Sequence, residues 1–118
     1  MRIQLPKMLS LGINNYGKLE LETNENFIDM WRGIEEEYKR DAKFEWTPNP
    51  GEDGVFRVRI DESTQFFDSN SEYVCGTKET YQRQVTCIID VLKTYNFKSK
   101  SGISCRVHQI KVHSAYLF

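Results

Sequence analysis

Two strand-like runs in the last third of the chain constrain the fold more than any other feature. In the first run, apolar residues alternate with polar ones as far as about Leu92. These apolar residues are Val85, Cys87, Ile89 and Val91. The second run alternates in the same way and follows residues 98–102, which have turn-forming character. Two alternating runs on either side of a short turn predict a long β-hairpin.

The alternation in the second run changes phase near its end. The apolar residues from Ile103 to Val107 share one parity, whereas Ile110 and Val112 have the other. A β-bulge at His108–Gln109 would return all of them to one face of the sheet. The side chains that would then face outward are Arg106, His108, Lys111 and His113. Because bulges help a strand to bend, this pattern favours a small curved barrel.

The rest of the chain predicts shorter strands and one helix. Further strands or extended pieces are predicted at residues 3–11, 18–22, 44–46, 55–61, 64–67 and 73–74. The run at 55–61 alternates most cleanly, with Phe56 inward and Arg57 and Arg59 outward. Apolar residues at helical spacing predict an amphipathic helix at about residues 24–40, with Asn24 or Asn26 as its cap. We therefore expect a mainly β single domain, residues 1–118, with one helix.

Charge is distributed unevenly along the 118 residues. Residues 75–118 hold seven Lys or Arg and two acids, a net charge of +5, and residues 1–74 hold nine bases and fifteen acids, a net charge of −6. A basic surface beside an acidic one can attract a phosphate backbone to one side of a protein. Scattered, solvated charges are the alternative interpretation.

Composition and motifs exclude several classes of protein. No stretch approaches the roughly 18 to 20 apolar residues of a membrane span, and the first residues do not form a signal-peptide pattern, so we expect an intracellular protein without a membrane role. Cys75, Cys87 and Cys105 include no CxxC pair and are expected to be reduced thiols. No hydrolase, zinc-peptidase or nucleotide-binding motif occurs, so we expect neither an enzyme nor a cofactor.

Metal chemistry has little support in the sequence. His108 and His113 have no Cys or carboxylate at ligand spacing, so no metal site is expected there. Acidic residues do occur near predicted strand ends, at Asp53, Asp61, Glu62 and Asp68. They leave open a small metal-dependent nuclease.

Basic and aromatic side chains in the predicted strands and hairpin favour nucleic acid. Cations can follow the phosphates of a single strand while aromatic rings stack on its bases. The residues that we expect to contact nucleic acid are Arg57, Arg59, Arg83, Tyr95, Phe97, Lys98, Lys100, Arg106 and Lys111.

Two segments resemble a known family: RVRIDESTQFFD at residues 57–68 and TYQRQVTCIIDVLKTYNFKSKSGISCRVHQIKV at residues 80–112. The sequence resembles the OB-fold single-stranded DNA-binding proteins of DNA viruses and phages, in which a long Val- and Ile-rich strand leads to an aromatic, basic hairpin and a final strand. The resemblance implies a five-stranded barrel whose groove holds single strands regardless of sequence. It also implies a role in replication, recombination or repair inside a host cell, if the protein is viral.

Other interpretations stay open at this stage. The acidic helix at 24–40 would suit a non-enzymatic interaction or assembly module. The sequence does not distinguish DNA from RNA as the partner. An edge strand left open by an imperfect barrel could pair with a second copy of the chain.

Overall fold

The structure, a computed structural model, describes residues 1–74 and 80–113. Within these ranges it contains nine strands and one α-helix. The strands are β1 (Arg2–Gln4), β2 (Met8–Ile13), β3 (Lys18–Glu22), β4 (Glu45–Trp46), β5 (Val55–Arg59), β6 (Gln65–Phe67), β7 (Tyr73–Val74), β8 (Gln84–Phe97) and β9 (Lys100–Val112). The α-helix, α1, spans Glu25–Tyr38 and continues into a 3-10 turn at Lys39–Asp41.

Five of the strands close a barrel, as predicted. The ring runs β8-β2-β3-β5-β9 and returns to β8. Its neighbours are antiparallel except β5 and β9, which pair in parallel where Arg59 lies opposite Arg106. Outside the ring, β1 extends the sheet beside β8, and β6 and β7 extend it beside β9. The long strands β8 and β9 therefore serve both the barrel and an outer sheet.

The predicted long hairpin is confirmed and is longer than expected. Strands β8 and β9 pair from Val85 opposite Val112 to Phe97 opposite Lys100. Lys98 and Ser99 connect them with φ angles of 51° and 64°. Positive φ at both central residues is the geometry of a two-residue turn whose twist matches that of the strands. The basic and aromatic segment 95–100 is thus built mostly from paired strands.

The predicted bulge is also confirmed. Ile88 lies opposite Gln109 and Ile89 lies opposite Val107, so His108 is the extra residue on β9. A second irregularity lies on β8 between Val91 and Lys93. The first bulge lets both halves of β9 direct apolar side chains into the core, where Val107 and Ile110 are fully buried.

One predicted strand is wrong: residues 3–11 form β1 and β2 rather than one strand. Both pieces pair with β8, but Gln4 lies opposite Ile88 and Met8 opposite Val85, a shift of one residue in register. Pro6 lies at the break and has no N–H to donate to the ladder. The interruption therefore follows from proline chemistry that the alternation pattern does not reveal.

Helix α1 packs its apolar face against the barrel. The Asn24 side chain caps the helix by accepting a hydrogen bond from the Phe27 backbone N–H at 2.9 Å. The Phe27 and Trp31 rings contact the ring of Phe56 on β5, with centroids 5.3 and 4.9 Å apart. All three rings are buried, which confirms the inward direction predicted for Phe56. No α-helix in the described ranges is long and apolar enough to cross a membrane.

An ion-pair network joins the outer sheet to the loop after β5. Arg106 donates to Asp61 at 3.0 Å and to Asp90 at 2.8 Å, and Arg2 donates to Asp90 at 2.7 Å. The hydrogen bond from Arg106 holds the pKa of Asp61 below its ordinary value. The pKa of Asp90 is also lowered, mainly by the hydrogen bond from Arg2 and to a smaller extent by the one from Arg106. The sequence pattern predicts Arg106 as an outward cation for nucleic acid, whereas its side chain is only 15% exposed and is engaged by two carboxylates.

Replacing Arg106 should destabilise the protein in a pH-dependent way. We expect Arg106→Ala to lower the free energy of unfolding by about 1 to 3 kcal/mol near neutral pH, because two carboxylates lose a charged donor. The folded-state pKa values of Asp61 and Asp90 lie below their unfolded values. The network therefore stabilises the fold above about pH 4, and this contribution is lost as the pH falls through the folded pKa values.

Urea unfolding of wild type and Arg106→Ala at about pH 7 and about pH 3 tests this prediction. The difference in unfolding free energy between the two proteins should be smaller at the lower pH. Arg40→Ala is the control, since Arg40 is exposed and makes no ion pair with any described residue. If the difference in unfolding free energy is the same at both pH values, the ion-pair network does not stabilise the fold in the way proposed.

Candidate nucleic-acid interface

A groove of about 630 Å³, here called the barrel groove, runs along the outer surface of β3 and β5. One wall is the loop that includes residues 47–53, and the other is the β8–β9 hairpin at Tyr95 and residues 103–105. Three cations, Lys18, Arg57 and Arg59, line it together with two acids, Glu52 and Asp53. The lining therefore combines a small excess of positive charge with one aromatic ring.

The barrel groove brings together three of the residues predicted from the sequence: Arg57, Arg59 and Tyr95. It also includes Lys18, which the sequence analysis does not select. Lys18 on β3 lies directly opposite Arg59 on β5. The alternation of β3, with Leu19 and Leu21 inward, places Lys18 outward, but only the pairing of β3 with β5 reveals its neighbour.

The two arginines of β5 differ in how free their charges are. Arg57 donates to Glu20 at 2.8 Å and to Asp53 at 2.9 Å, and these acids offset its charge. The pKa of Asp53 is lowered mainly by a hydrogen bond from the Val55 backbone N–H and, to a smaller extent, by one from the Arg57 side chain. Arg59 is exposed and makes no ion pair with any described residue. Arg59, with Lys18, therefore supplies most of the positive charge available to a ligand.

Tyr95 is held in place by the strand opposite. It pairs with Gly102, and a Cβ atom added at Gly102 would lie 2.6 Å from the Tyr95 ring. Only glycine leaves room for this ring at that position. The ring is half-buried at the edge of the barrel groove, so it has a fixed orientation and a surface that can meet a ligand.

The other hairpin residues project beyond the barrel groove. Phe97 is 65% exposed, and the Lys98 Nζ lies 5.2 Å from the centre of its ring. Lys100 is also exposed at this tip. The chain after α1 supports the tip, because the Lys43 backbone N–H donates to the Asn96 side chain at 2.8 Å. The tip is therefore a supported extension of the barrel rather than an isolated loop.

The remaining predicted residues lie elsewhere. Arg106 belongs to the ion-pair network described above. Lys111 lines a different cleft on the outer sheet. Arg83 immediately precedes β8, and its backbone carbonyl accepts a hydrogen bond from the Ser10 backbone N–H at 2.8 Å. None of the three lines the barrel groove.

The loop that forms one wall of the barrel groove is fixed from beneath by a buried carboxylate. The Glu35 side chain, on α1, is fully buried and accepts from Arg32 at 2.6 Å and from the Asn49 backbone N–H at 3.2 Å. The Asn49 side chain also donates to the Arg57 carbonyl at 2.7 Å and accepts from the Arg57 N–H at 3.0 Å. Helix, loop and β5 are thus joined behind the groove.

Three of the four candidate acids for a nuclease, Asp53, Asp61 and Asp68, have structural partners. Asp61 is engaged by Arg106, and the Asp68 side chain accepts the backbone N–H groups of Asn70 and Glu72, both at 2.9 Å. In the described part of the chain, no three His, Cys, Asp or Glu side chains form a group that could hold a metal ion. These contacts show that Asp53, Asp61 and Asp68 stabilise turns or form ion pairs.

The two described cysteines are free thiols. Burial raises the pKa of Cys87 and of Cys105 to about 12, so both stay protonated near neutral pH and are poor nucleophiles. Cys75 lies outside the described residues.

Comparison with known proteins identifies the fold. No protein-family model matches the sequence, and no curated protein matches it either. The structure is similar to the C-terminally truncated single-stranded DNA-binding protein from bacteriophage Enc34, with a TM-score of 0.69 and 12% identity over 98% of this chain and 87% of that one. It is also similar to gp2.5, a single-stranded DNA-binding protein encoded by bacteriophage T7, with a TM-score of 0.63 and 10% identity over 99% of this chain and 93% of that one.

The chain has the fold of these phage proteins. The likeness covers nearly the whole chain, although identity is low. It confirms the predicted resemblance to the OB-fold proteins of phages, together with the mainly β class and the closed five-stranded barrel.

Glu35 provides a test of how the wall of the barrel groove is held. Glu35→Gln should lower the free energy of unfolding by about 1 to 3 kcal/mol, because Arg32 loses its charged acceptor in a buried setting. Amide hydrogen exchange in residues 49–54 should become faster than in wild type. Glu36→Gln is the matched control, since Glu36 lies on the same helix, is exposed and, among the described residues, forms an ion pair only with Lys39. Equal exchange in the two variants would show that Glu35 does not hold the loop.

Proposed function

We propose that this protein binds single-stranded DNA without sequence preference, in the barrel groove and along the tip of the β8–β9 hairpin. The observation that carries this proposal is that Lys18, Arg59 and Tyr95 share one groove although they are distant in sequence. Unpaired cations can bind phosphates, and a fixed aromatic ring can stack on a base. The phage proteins of the same fold are described as single-stranded DNA-binding proteins, which supports this choice of ligand.

The position of the groove on the barrel supports the proposal independently. OB-folds bind oligonucleotides on the face of their second and third strands and with the loops between strands one and two and between strands four and five. In this barrel the second and third strands are β3 and β5, which line the barrel groove. The corresponding loops are the turn before Lys18 and the turn at Lys98–Ser99.

The first of these loops adds a candidate residue that the sequence analysis missed. Tyr16 is 86% exposed in the turn between β2 and β3. The Asn14 side chain holds this turn by accepting from the backbone N–H groups of Tyr16 at 2.9 Å and Lys18 at 3.1 Å. An exposed ring on a fixed turn beside Lys18 offers a second stacking surface.

In this proposal the protein is not an enzyme. It acts by coating and protecting unpaired strands during replication, recombination or repair inside a host cell. RNA is the competing ligand, and it would be favoured if the protein bound strands that carry 2′-hydroxyl groups more tightly than DNA of the same sequence.

Fluorescence titration with a thymidine oligonucleotide and a duplex of equal length tests the proposal. We expect tighter binding to the single strand, and a fall in affinity with salt whose slope corresponds to about two to four phosphate contacts, at about −0.7 per contact. Equal affinity for duplex, or binding that salt does not weaken, would contradict the proposal. Tighter binding to the matching RNA would change the assigned ligand.

Variants of the barrel groove should separate phosphate contact from stacking. Arg59→Ala and Lys18→Ala should each weaken binding and make the salt slope less steep by about 0.7, because one phosphate contact is lost. Tyr95→Leu should weaken binding by about 1 to 3 kcal/mol with little change in the salt slope, because stacking is lost rather than charge. Arg40→Ala, an exposed arginine outside the groove, is the charge control. Equal losses in Arg40→Ala and Arg59→Ala would show general electrostatic attraction instead of a groove.

A further inference from the structure

A second cleft, of about 310 Å³, lies on the exposed face of the outer sheet and shares no lining residue with the barrel groove. We call it the outer-sheet cleft. Among its lining residues are Gln4, Phe67, Ile88, Gln109 and Lys111, which come from β1, β6, β8 and β9. The cleft is therefore built largely on strands, with Ser71 added from the turn between β6 and β7.

Strand register arranges this face in two adjacent rows. Residues directly opposite each other on paired strands have neighbouring side chains on the same face. The first row runs across β1, β8, β9 and β6 and consists of Gln4, Ile88, Gln109 and Gln65. The second runs across β8, β9, β6 and β7 and consists of Thr86, Lys111, Phe67 and Tyr73. Amides and an aliphatic side chain thus lie beside a cation and two aromatic rings.

The first row offers hydrogen-bonding groups around an apolar centre. Gln109 donates to the Gln65 side-chain oxygen at 3.0 Å, which leaves one acceptor on Gln109 and the amino group of Gln65 for a ligand. Gln4 is exposed at the other side of Ile88. Glutamine amides can pair in a bidentate manner with the edge of a base.

The second row offers a stacking surface. The rings of Phe67 and Tyr73 contact each other edge to face, with centroids 5.9 Å apart. Tyr73 is 59% exposed, whereas the neighbouring Phe66 is buried in the core. One ring of the Phe66–Phe67 pair therefore faces inward and the other outward, as strand alternation requires. A partly exposed aromatic pair can hold the face of a base.

Charge on this face favours an anionic ligand. Lys111 makes no ion pair with any described residue, and none of the described residues that line the outer-sheet cleft is acidic. His113 lies nearby, with its Nε2 2.9 Å from the Thr86 hydroxyl. Burial is the main cause that lowers the pKa of His113, and the positive charges of Lys7 and Lys111 lower it further. The neighbouring Arg2 and Arg106 are neutralised by Asp61 and Asp90. Lys111 is therefore the cation of this cleft that is available to a phosphate.

We propose that the outer-sheet cleft is a second binding site for single-stranded nucleic acid, in which a base stacks on Phe67 and Tyr73 and Lys111 binds a phosphate. The amide of Gln109, on the strand next to that of Phe67, contacts the edge of that base. The inference relies on the proposed function only for the class of ligand, since the residues are separate from the barrel groove. It implies that one molecule contacts a longer stretch of single strand than the barrel groove alone can hold.

Binding to oligonucleotides of two lengths tests this inference. An oligonucleotide of about 6 nucleotides is within the range of one OB-fold site, and one of about 20 nucleotides is long enough to reach a second. Lys111→Ala and Tyr73→Ala should each weaken binding of the long oligonucleotide about threefold to tenfold while leaving the short one unchanged. Arg59→Ala should weaken both. Lys93→Ala is the matched control, because Lys93 is exposed on β8 and lines neither cleft.

Photocrosslinking with an oligonucleotide that carries 5-iododeoxyuridine gives a second readout. We expect crosslinked peptides that contain Tyr73 or Phe67 in addition to Tyr95. If Arg59→Ala weakens binding but Lys111→Ala and Tyr73→Ala do not, and crosslinks form only at Tyr95, the second site is refuted and the proposed function stands. If wild type binds no single strand of either length, both proposals are refuted. Either conclusion requires that every variant melts at the same temperature as the wild-type protein.

Discussion

The antiparallel pairing of β8 with β9 is the interaction on which the rest of the structure depends. It runs from Val85 opposite Val112 to Phe97 opposite Lys100, and every other described strand except β3 and β7 pairs directly with β8 or with β9. Strand β5 pairs with β9 at a single position and so closes the barrel. The bulge at His108 bends β9 so that one strand can serve the barrel and the outer sheet. Both clefts lie on this hairpin, on different surfaces of it.

The alternation of apolar and polar residues correctly predicted those features of the fold that depend on neighbours in sequence. It correctly assigned the hairpin, the bulge, the outward direction of Arg57 and Arg59, and the burial of Phe56, because side-chain direction in a strand repeats every two residues. It failed at Pro6, where the missing N–H shifts the register by one residue. The prediction is therefore strongest within a strand and weakest where one strand meets another.

The candidate site shows the same limit more clearly. Lys18 and Arg59 are neighbours only because β3 pairs with β5, and Lys111 is separated from them because it lies on the other part of β9. Alternation with the bulge assigned Arg106 to the outward cations for nucleic acid, yet Asp61 and Asp90 engage its side chain. The net charge of a segment indicates how many cations it holds. It does not indicate how many remain unpaired after folding, and only unpaired cations are available to bind phosphates.

An NMR titration of the isotopically labelled protein with a short thymidine oligonucleotide tests whether a single strand lies in the barrel groove. The largest changes in backbone amide shifts should occur at Lys18, Arg59, Tyr95 and residues 103–105. Residues 25–38 of the acidic helix should change little. The largest changes on that helix, with the groove amides unaffected, would contradict binding in the barrel groove and favour an interaction module instead.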